Sequence, residues 1–284
     1  MEGFCGLVVL DKPGGMTSRA ALDRTQRWFP RRTAIGHTGT LDPLATGVLV
    51  ACVGPATRLA EYVQRMRKAY RSTFVLGAVS DTDDADGKVE AVAGAVDPGE
   101  VAVRDGLARL VGRLSQTPPA YSAAHVDGKR AYDLSRRGQE VKLDARPVDV
   151  YGIDVLRYAW PELEVEVRCG KGTYIRSLAR DLGAALGVGG HVRVLRRTRV
   201  GPFVPEQAIP LDATESVLMP MELAVADLPR VALAEGQARL LRTGQGVPGA
   251  MEGECAAFDG PRLVAVCMGA GGVLRPVKVL ASPP

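Results

Sequence analysis

The sequence predicts an α+β protein with a small β-rich unit at its C-terminus, and three observations support this fold class. Residues 162–169 alternate strictly between charged and apolar side chains, which is typical of a half-buried strand. Residues 173–186 carry apolar side chains at helical spacing, which predicts an amphipathic helix. After about residue 230 short apolar runs follow one another, and Asp259-Gly260 is a two-residue hairpin signal.

The size and composition of the chain are those of a globular protein with a sizeable core. Of its 284 residues, 46% are hydrophobic and 24% are charged. The formal net charge of +4 permits a polyanionic partner without demanding one. We expect one domain over residues 1–228, with an insertion at about 119–147, and a second domain over 229–284.

In the first third of the chain the pattern predicts alternating strands and helices. Residues 6–10 form a short buried strand that Pro13-Gly14-Gly15 ends, and Thr17 or Ser18 offers the N-cap of a helix. The predicted elements are that strand at 6–10, a helix at 18–28, a buried apolar run at 47–53, a helix near 56–67 and a strand at 69–79.

The middle of the chain is more polar. The acidic residues at 81–87 lack the ligand spacing of a calcium loop, so they predict a solvated turn at a strand end. Residues 98–114 predict a helix, and the prolines of 116–123 exclude one there. The stretch from 125 to 142 is basic, with little that would fill a core, and such a loop inside a domain is typically functional.

The last part of the chain returns to regular structure before a proline-rich connection. The predicted elements are a strand at 162–169, a helix at 173–186, a strand at 191–204, and short strands at 254–258, 262–267 and 273–280. Several prolines between 202 and 229 leave room for one or two short helices at most.

Several classes of protein are disfavoured. The five cysteines are odd in number and show no CxxC spacing, which indicates reduced, buried thiols. With only three histidines, a histidine-based metal cluster is not expected. No basic leader and no apolar run of membrane-spanning length occurs, so we expect no membrane association and a cytoplasmic location.

One carboxylate stands out because of its neighbours. Asp42 lies in a run of small and apolar residues, with Gly36, Gly39 and Gly47 around it and Pro43 directly after it. An Asp is rarely left in such surroundings unless it is paired or used in chemistry, and the glycines allow tight turns and close approach to a ligand. An Asp-Pro pair taken alone is typical of an ordinary turn, so the functional interpretation of Asp42 depends on the whole run of residues around it.

The run at 35–49 resembles the catalytic motif of the bacterial tRNA pseudouridine-55 synthases, the TruB family. Further motifs occur in family order over residues 6–203: Leu10-Asp11-Lys12-Pro13 with Gly15-Met16-Thr17-Ser18, Lys68-Ala69-Tyr70-Arg71, Gln116 to Ala123, Lys171-Gly172-Thr173-Tyr174-Ile175-Arg176-Ser177-Leu178, and Gly190-His191 with Leu195-Arg196-Arg197-Thr198. Each motif alone is weak, whereas the ordered set is very specific. The resemblance implies that the domain at 1–228 is catalytic and that its insertion at about 119–147 binds RNA. The C-terminal part, chiefly 241–247, resembles more loosely a PUA-type RNA-binding domain.

The resemblance implies a mixed, mainly antiparallel central sheet with flanking helices and loops, the pseudouridine synthase fold. It implies isomerisation of uridine to pseudouridine at position 55 in the T-loop of tRNA. The reaction breaks the bond from N1 to the sugar, rotates the base and joins C5 to the same carbon, so we expect no cofactor and no metal. The partner is the T-arm of tRNA, no obligatory protein partner is expected, and the absence of a spare apolar stripe favours a monomer.

The resemblance also assigns roles to residues. Asp42 is the catalytic carboxylate, Arg176 its guanidinium partner, and Tyr70 a ring that stacks on the target base. The substrate and RNA contacts are Tyr174 and Leu195 around the uracil, His37 stacking into the space left by the flipped base, Lys12 bracing the loop or meeting a phosphate, and Gly39 and Thr40 on the Asp42 loop.

Basic residues are expected to contact the RNA, and one residue differs from the family pattern. Basic side chains at 129–142 and 193–199, with Arg31 and Arg32, are expected to track the RNA backbone. His125 stands where the family often has lysine, which weakens one phosphate contact.

Simpler readings of single residues remain open: Arg176 as a surface arginine, and Tyr70, Tyr174 and Leu195 as core residues. Two functional alternatives also remain: a tRNA-binding or folding module, and a synthase of the same fold that acts on another RNA, for example with a guide RNA.

Overall fold

The computed structural model describes residues 4–122, 125–126, 129–130 and 143–280. Its N-terminal part contains the strands β1 Gly6–Lys12, β2 Ile35–His37, β3 Thr46–Val53, β4 Lys68–Leu76, β5 Ala78–Ser80, β6 Val89–Ala91, β7 Gly112–Gln116, β8 His125–Val126, β9 Lys129–Arg130, β10 Arg146–Ala159, β11 Glu162–Cys169, β12 Gly190–Val200 and β13 Ile209–Pro210. The helices there are α1 Ser18–Thr25, α2 Ala60–Arg65, α3 Glu100–Ala108 and α4 Ile175–Ala185. Short 3₁₀ turns occupy Gln26–Trp28, Gly54–Leu59, Pro205–Gln207 and Met221–Val225.

Among the described residues a nine-stranded mixed sheet forms the centre of the molecule. Its order is β13-β1-β3-β12-β4-β11-β10-β7, and β2 pairs with β3 beside β1. Only β1–β13 and β3–β12 run parallel, and the other pairs are antiparallel. The prediction of an α+β fold with a mainly antiparallel sheet is therefore confirmed.

The pairing of β1, β3, β12, β4 and β11 places residues that are far apart in the chain side by side in one row across the sheet. Lys12 of β1 lies opposite Gly47 of β3, which lies opposite Arg197 of β12. Arg197 in turn lies opposite Tyr70 of β4, and Tyr70 opposite Val167 of β11. Since side chains of directly opposed residues share a face, this row places Lys12, Arg197 and Tyr70 close to one another.

At β3 the sheet is buried on both faces, which explains the unbroken apolar run of this strand. Leu49, Ala51 and Val53 pack into a core with α3 and α4, whereas Val48, Val50 and Cys52 face a second core on the other side. In β11, by contrast, Leu163, Val165, Val167 and Cys169 are fully buried and alternate with charged residues, as predicted. All five cysteines are free, and four of them are buried.

A five-stranded sheet follows in the C-terminal part. It consists of β14 Arg230–Ala232, β15 Val247–Pro248, β16 Gly253–Asp259, β17 Arg262–Ala270 and β18 Val273–Val279, with helix α5 Gln237–Arg242. The predicted hairpin is present, because Asp259 pairs with Arg262 across a turn in which Gly260 has a φ of 59°. Apolar residues of this sheet share the second core with β1 and α2. The expected domain boundary at 228/229, just before β14, and the PUA-like assignment stay predictions.

Two helix predictions need correction. The helix predicted at 98–114 ends at Ala108, and Gly112–Gln116 instead pairs with β10 as the edge strand β7. The helix expected near 56–67 is a 3₁₀ turn followed by the six-residue α2. The side chains of 125–126 and 129–130, and all of 131–142, lie outside the described residues, so most of the expected insertion does too.

The described residues contain neither a candidate membrane span nor a candidate metal site. Within the described ranges, no helix combines the length and the apolar character that crossing a membrane requires. Nor do the His, Cys, Asp and Glu side chains of those ranges form any group of three that is placed to hold a metal ion.

Candidate active site

A pocket of about 310 Å³ opens at the end of the row formed by Lys12, Arg197 and Tyr70. This volume is at the lower end of the range that is typical of ligand pockets. Four parts of the chain line it: the loop at 37–42, the segment that leads from α2 into β4, the connection from β11 to α4, and β12. The lining residues are His37, Thr38, Gly39, Thr40, Leu41, Asp42, Gln64, Lys68, Tyr70, Gly170, Lys171, Gly172, Thr173, Tyr174, Ile175, Leu195 and Arg197.

The Asp42 loop is fixed on both sides by hydrogen bonds. The Ser18 hydroxyl donates to the Leu41 carbonyl at 3.0 Å and accepts from the Leu41 N–H at 2.7 Å. The Lys12 ammonium, which is fully buried, donates to the carbonyls of Pro13 at 2.8 Å and Pro43 at 3.3 Å. These bonds hold the residues immediately before and after Asp42, so its backbone is positioned independently of any ligand.

Arg197 holds the other half of the same loop. Its Nε donates to the Val48 carbonyl at 2.7 Å, and its two terminal nitrogens donate to the carbonyls of Thr40 at 3.4 Å and Gly39 at 3.2 Å. The side chain is only 2% exposed. The expectation that Arg197 tracks the RNA backbone is therefore wrong, because its guanidinium is occupied with loop carbonyls.

Arg176 is the partner of Asp42. Its Nε lies 2.9 Å from Asp42 Oδ2, and its side chain is 3% exposed. Nη1 donates to the Thr82 carbonyl at 2.7 Å and lies 3.3 Å from Asp84 Oδ2, while Nη2 donates to the Tyr121 carbonyl at 2.9 Å. The simpler reading of Arg176 as a surface arginine is thus wrong, since its guanidinium joins two carboxylates and two carbonyls inside the protein.

The acidic segment at 81–87 is not the solvated turn that its composition predicts. Asp84 is 4% exposed and shares Arg176 with Asp42. Asp83, with a φ of 60°, contacts Arg180 at 2.8 Å. The correction has a clear cause: α4 brings Arg176 and Arg180, one helical turn apart, against the segment, and these cations compensate carboxylates that burial would otherwise destabilise.

The electrostatics of Asp42 result from opposing effects. Burial raises the pKa of its carboxyl, because a charged group loses solvation at the pocket wall. The Arg176 guanidinium opposes this rise, the Asp84 charge adds to it, and Lys12 lowers the pKa further. The net direction is upward, because the effect of burial is larger than the lowering of the pKa by Arg176.

Two lysines beside the loop are also perturbed. Burial lowers the pKa of Lys12 to about 8, although the Asp42 charge opposes this change. Burial likewise lowers the pKa of Lys68 to about 8, and the nearby Arg197 charge acts in the same direction. The Lys68 ammonium donates to the carbonyls of Gln64 and Met66, both at 2.6 Å.

Tyr174 is held at the start of α4 by one side-chain amide. Gln116 donates through Nε2 to the Tyr174 carbonyl at 3.1 Å and accepts from the Tyr174 N–H at 2.8 Å. The Ser177 hydroxyl donates to the Thr117 carbonyl at 2.9 Å. The last residue of β7 and the residue after it thereby fix the N-terminal turn of the helix that carries Arg176.

Comparison with known proteins decides which family this site belongs to. The model of the TruB family pseudouridylate synthase N-terminal domain matches residues 27–175, and that of the tRNA pseudouridylate synthase B C-terminal domain matches residues 176–226. The chain belongs to the TruB family of pseudouridylate synthases. It is therefore an enzyme, an isomerase.

Curated relatives in the TruB family match along the whole chain. The tRNA pseudouridine synthase B of Ruegeria pomeroyi is 43% identical over 98% of this chain and 96% of its own. That of Thermobifida fusca is 44% identical over 97% of this chain and 98% of its own.

Solved structures show the same fold at lower identity. A Cbf5-Nop10-Gar1 complex contains a chain with a TM-score of 0.76 and 27% identity, covering 98% of this chain and 85% of that one. An H/ACA RNP bound to a substrate RNA gives a TM-score of 0.74 and 26% identity, with 98% and 86% coverage.

The site residues expected from the TruB resemblance come together. His37, Gly39, Thr40, Asp42, Tyr70, Tyr174 and Leu195 all line the pocket, Arg176 lies behind Asp42, and Lys12 lies beneath the loop. Of the two readings of Lys12, the geometry supports the brace, because a fully buried ammonium cannot meet a phosphate.

Sequence reasoning missed Asp84, Lys68 and the buried role of Arg197. Lys68 and Arg197 lie in motifs that carry the resemblance, and that was a usable signal. Asp84 had none except its place in an acidic run.

Proposed function

We propose that this TruB family member isomerises uridine to pseudouridine at position 55 in the T-loop of tRNA, with Asp42 as the essential carboxylate. One observation carries the proposal: Asp42, 29% exposed, faces an open pocket while Arg176, 3% exposed, holds it from behind at 2.9 Å. The relatives with 43% and 44% identity are named tRNA pseudouridine synthase B, which supports tRNA as the substrate.

The chemistry requires a single carboxylate that is ionised and fixed. Breaking the bond between N1 and C1′ leaves uracil as a stabilised anion, so no second acid for a leaving oxygen is needed, unlike in a retaining glycosidase. Asp42 acts as the nucleophile at the sugar or as the base that starts proton abstraction from it. After rotation of the base, C5 bonds to C1′, the C5 proton leaves and N1 regains a proton, so the product is an isomer.

The other pocket residues position the base. Tyr70 is 8% exposed and lines the pocket, where we assign its ring to stack on the uracil. Leu195 and Tyr174 form further walls. A uridine in a folded loop reaches this pocket only when flipped out, at a cost of a few kcal/mol. His37, Gly39 and Thr40 line the pocket on the Asp42 loop, and we assign His37 to the space that the base leaves.

The enzyme acts on tRNA by itself in this proposal, as a monomer in the cytoplasm and without a cofactor. The chains in the solved complexes at 26% and 27% identity belong to protein and RNA assemblies, so a requirement for a guide RNA is the relevant alternative. The higher identity to the tRNA pseudouridine synthase B relatives favours direct action on tRNA.

The test compares the wild type with Asp42→Asn on a tRNA transcript, without any other protein or RNA. Pseudouridine is located by chemical mapping, and affinity is measured by filter binding. Asp23→Asn is the matched control, since Asp23 is 58% exposed on α1. We expect all three proteins to bind, and only the wild type and the control to modify position 55.

The outcomes separate the candidate functions. Equal turnover by Asp42→Asn, or modification at another position, would contradict the proposal. A wild type that binds tRNA without turnover would favour a binding module, and turnover only with an added guide RNA would favour the alternative substrate.

A further inference from the structure

An exposed aromatic side chain beside the pocket has no part in the roles assigned above. Tyr151 lies in β10 at a β-bulge, where the pairing with β11 moves from Val150–Cys169 to Gly152–Arg168. A bulge inserts one residue outside the ladder and redirects its side chain, and bulges are frequent beside active sites. Tyr151 is 45% exposed, although a tyrosine in a sheet usually packs against neighbouring side chains.

The ring of Tyr151 is held by a neighbouring cation. The Cζ atom of Arg67 lies 4.5 Å from the centre of the ring, which is within the range of a cation–π contact. Arg67 is itself exposed, and its backbone is fixed because its carbonyl accepts a hydrogen bond from the Gly201 N–H at 2.8 Å. The two side chains therefore form one exposed unit, called here the Tyr151–Arg67 platform.

The platform adjoins the pocket on two sides. Arg67 directly precedes Lys68, which lines the pocket. Gly170 also lines it, and a Cβ built on Gly170 would lie 3.2 Å from the hydroxyl oxygen of Tyr151. The Gly170 N–H donates to the Asp149 carbonyl at 2.8 Å, which ties the pocket wall to the strand that carries Tyr151.

We propose that the Tyr151–Arg67 platform binds an unpaired nucleobase of the RNA, next to the uridine that enters the pocket. This inference rests on the proposed function. Flipping one nucleotide out of a loop unstacks its neighbours, and an exposed aromatic ring offers a new stacking partner without selecting among bases. The Arg67 cation under the ring and the exposed Lys171 at the pocket wall give this surface the positive charge that suits a polyanion.

The test uses full-length variants and an unmodified tRNA transcript. Tyr151→Leu removes the ring, Tyr151→Phe keeps it without the hydroxyl, and Arg67→Met removes the cation. Leu156→Ala is the matched control: Leu156 is also 45% exposed, and it occupies the second bulge of the same strand, about 16 Å further along. Kd comes from filter binding, and the rate from single turnover at saturating enzyme.

We expect Tyr151→Leu to raise Kd about tenfold, in line with the loss of one base–aromatic contact, and to leave the saturating rate within about twofold. Tyr151→Phe is expected to stay within about twofold of the wild type, and Arg67→Met to raise Kd about two- to fivefold. Leu156→Ala is expected to leave both quantities unchanged. Thermal melting of each variant shows that it is folded before its Kd is compared.

Two results would overturn the platform. One is a Tyr151→Leu variant that binds as tightly as the wild type. The other is a Tyr151→Phe variant that loses as much affinity as Tyr151→Leu, because the hydroxyl and not the ring would then be responsible. If the wild type fails to modify position 55, the proposed function is wrong. If the wild type modifies position 55 and Tyr151→Leu binds tRNA with the same Kd, only the proposal of the Tyr151–Arg67 platform is wrong.

Discussion

The replacement Arg176→Lys tests whether the guanidinium geometry, and not merely a buried positive charge, makes Asp42 competent. Arg176 contacts Asp42 at 2.9 Å and Asp84 at 3.3 Å, and donates to the carbonyls of Thr82 and Tyr121. A lysine keeps the charge but carries its donors on one nitrogen atom, so it cannot reproduce the planar fork. We expect the ammonium to retain some of these partners and to lose others.

The magnitude follows from the contacts that are lost. A hydrogen bond from a charged donor contributes about 1.5–3 kcal/mol, and carbonyls left buried without a partner cost a similar amount. In Arg176→Lys the bonds to the carbonyls of Thr82 and Tyr121 are partly lost. This loss predicts a free energy of unfolding that is lower by about 3 kcal/mol. Loss of the Asp42 contact alone, at about 1.5–3 kcal/mol, corresponds to a rate lower by about ten- to 150-fold.

The assay separates the rate from affinity and stability. Single-turnover formation of pseudouridine at saturating enzyme gives the rate, filter binding gives the Kd for tRNA, and urea unfolding gives the stability. Arg180→Lys is the matched control, because Arg180 lies one turn further along α4, contacts Asp83 at 2.8 Å and is 30% exposed. We expect Arg180→Lys to retain the rate within about threefold, because the ion pair of Arg180 is with Asp83 and not with Asp42.

One result would refute this reasoning about Arg176. If Arg176→Lys lost stability but turned over as fast as Arg180→Lys, Arg176 would serve the fold and not the orientation of Asp42. A Kd for tRNA that rises as much as the rate falls would also contradict it, because Arg176 lies behind Asp42 and is not expected to touch RNA.

Three further predictions concern the groups around Asp42. Because the Asp84 charge raises the Asp42 pKa, and the proposed reaction needs an ionised Asp42, Asp84→Asn is expected to shift the acid limb of the pH–rate profile to lower pH. Lys12→Met removes the hydrogen bond to the Pro43 carbonyl, and we expect a rate about tenfold lower with an unchanged salt dependence of tRNA binding. Gly47→Ala is expected to lower the free energy of unfolding by about 3 kcal/mol in urea, since a Cβ there would lie 2.2 Å from the Arg197 carbonyl oxygen at a φ of 98°.

Each of these three has a contradicting outcome. An acid limb that stays in place or moves up in Asp84→Asn would show that Asp84 does not act on Asp42 through its charge. A weaker salt dependence in Lys12→Met would indicate a phosphate contact. The control for Gly47→Ala is Gly94→Ala, where φ is 74° but no atom lies within 4 Å of the added Cβ; an equal loss in both would leave backbone strain as the only cause.

Local patterns predicted those elements whose burial is set by their own sequence. The strict alternation of residues 162–169 gave β11 with its observed bounds, because a strand with one apolar face needs no distant information. The amphipathic helix at 173–186 is present as Ile175–Ala185, and Thr17, one of the two N-cap candidates, caps α1. The grouping of residues around Asp42 was predicted from the family motifs. Motifs indicate which distant residues lie together, whereas hydrophobic periodicity does not.

Predictions failed where a partner distant in sequence decides the environment. Asp84 looks solvated because its neighbours are acidic, and the cation that compensates its buried charge, Arg176, lies 92 positions later in the chain. The edge strand β7 looks helical because its pairing with Pro147 and Val148 of β10 cannot be read locally. Arg197 looks like a phosphate ligand in the sequence, because its position beside Lys12 and Tyr70 depends on how the strands pair, which the local sequence does not show.

The same distant partners explain how one carboxylate is both exposed and fixed. The side chain of Asp42 is 29% exposed, whereas those of Arg176 and Asp84 are 3% and 5% exposed. The carbonyls of Thr82 and Tyr121 fix the guanidinium from the protein side, so its contact with Asp42 does not depend on substrate. In the role proposed for Asp42, a carboxylate that meets a sugar carbon needs an open face toward the RNA and a rigid support behind it. The second carboxylate is therefore part of the support, because it helps to hold the cation that orients the first.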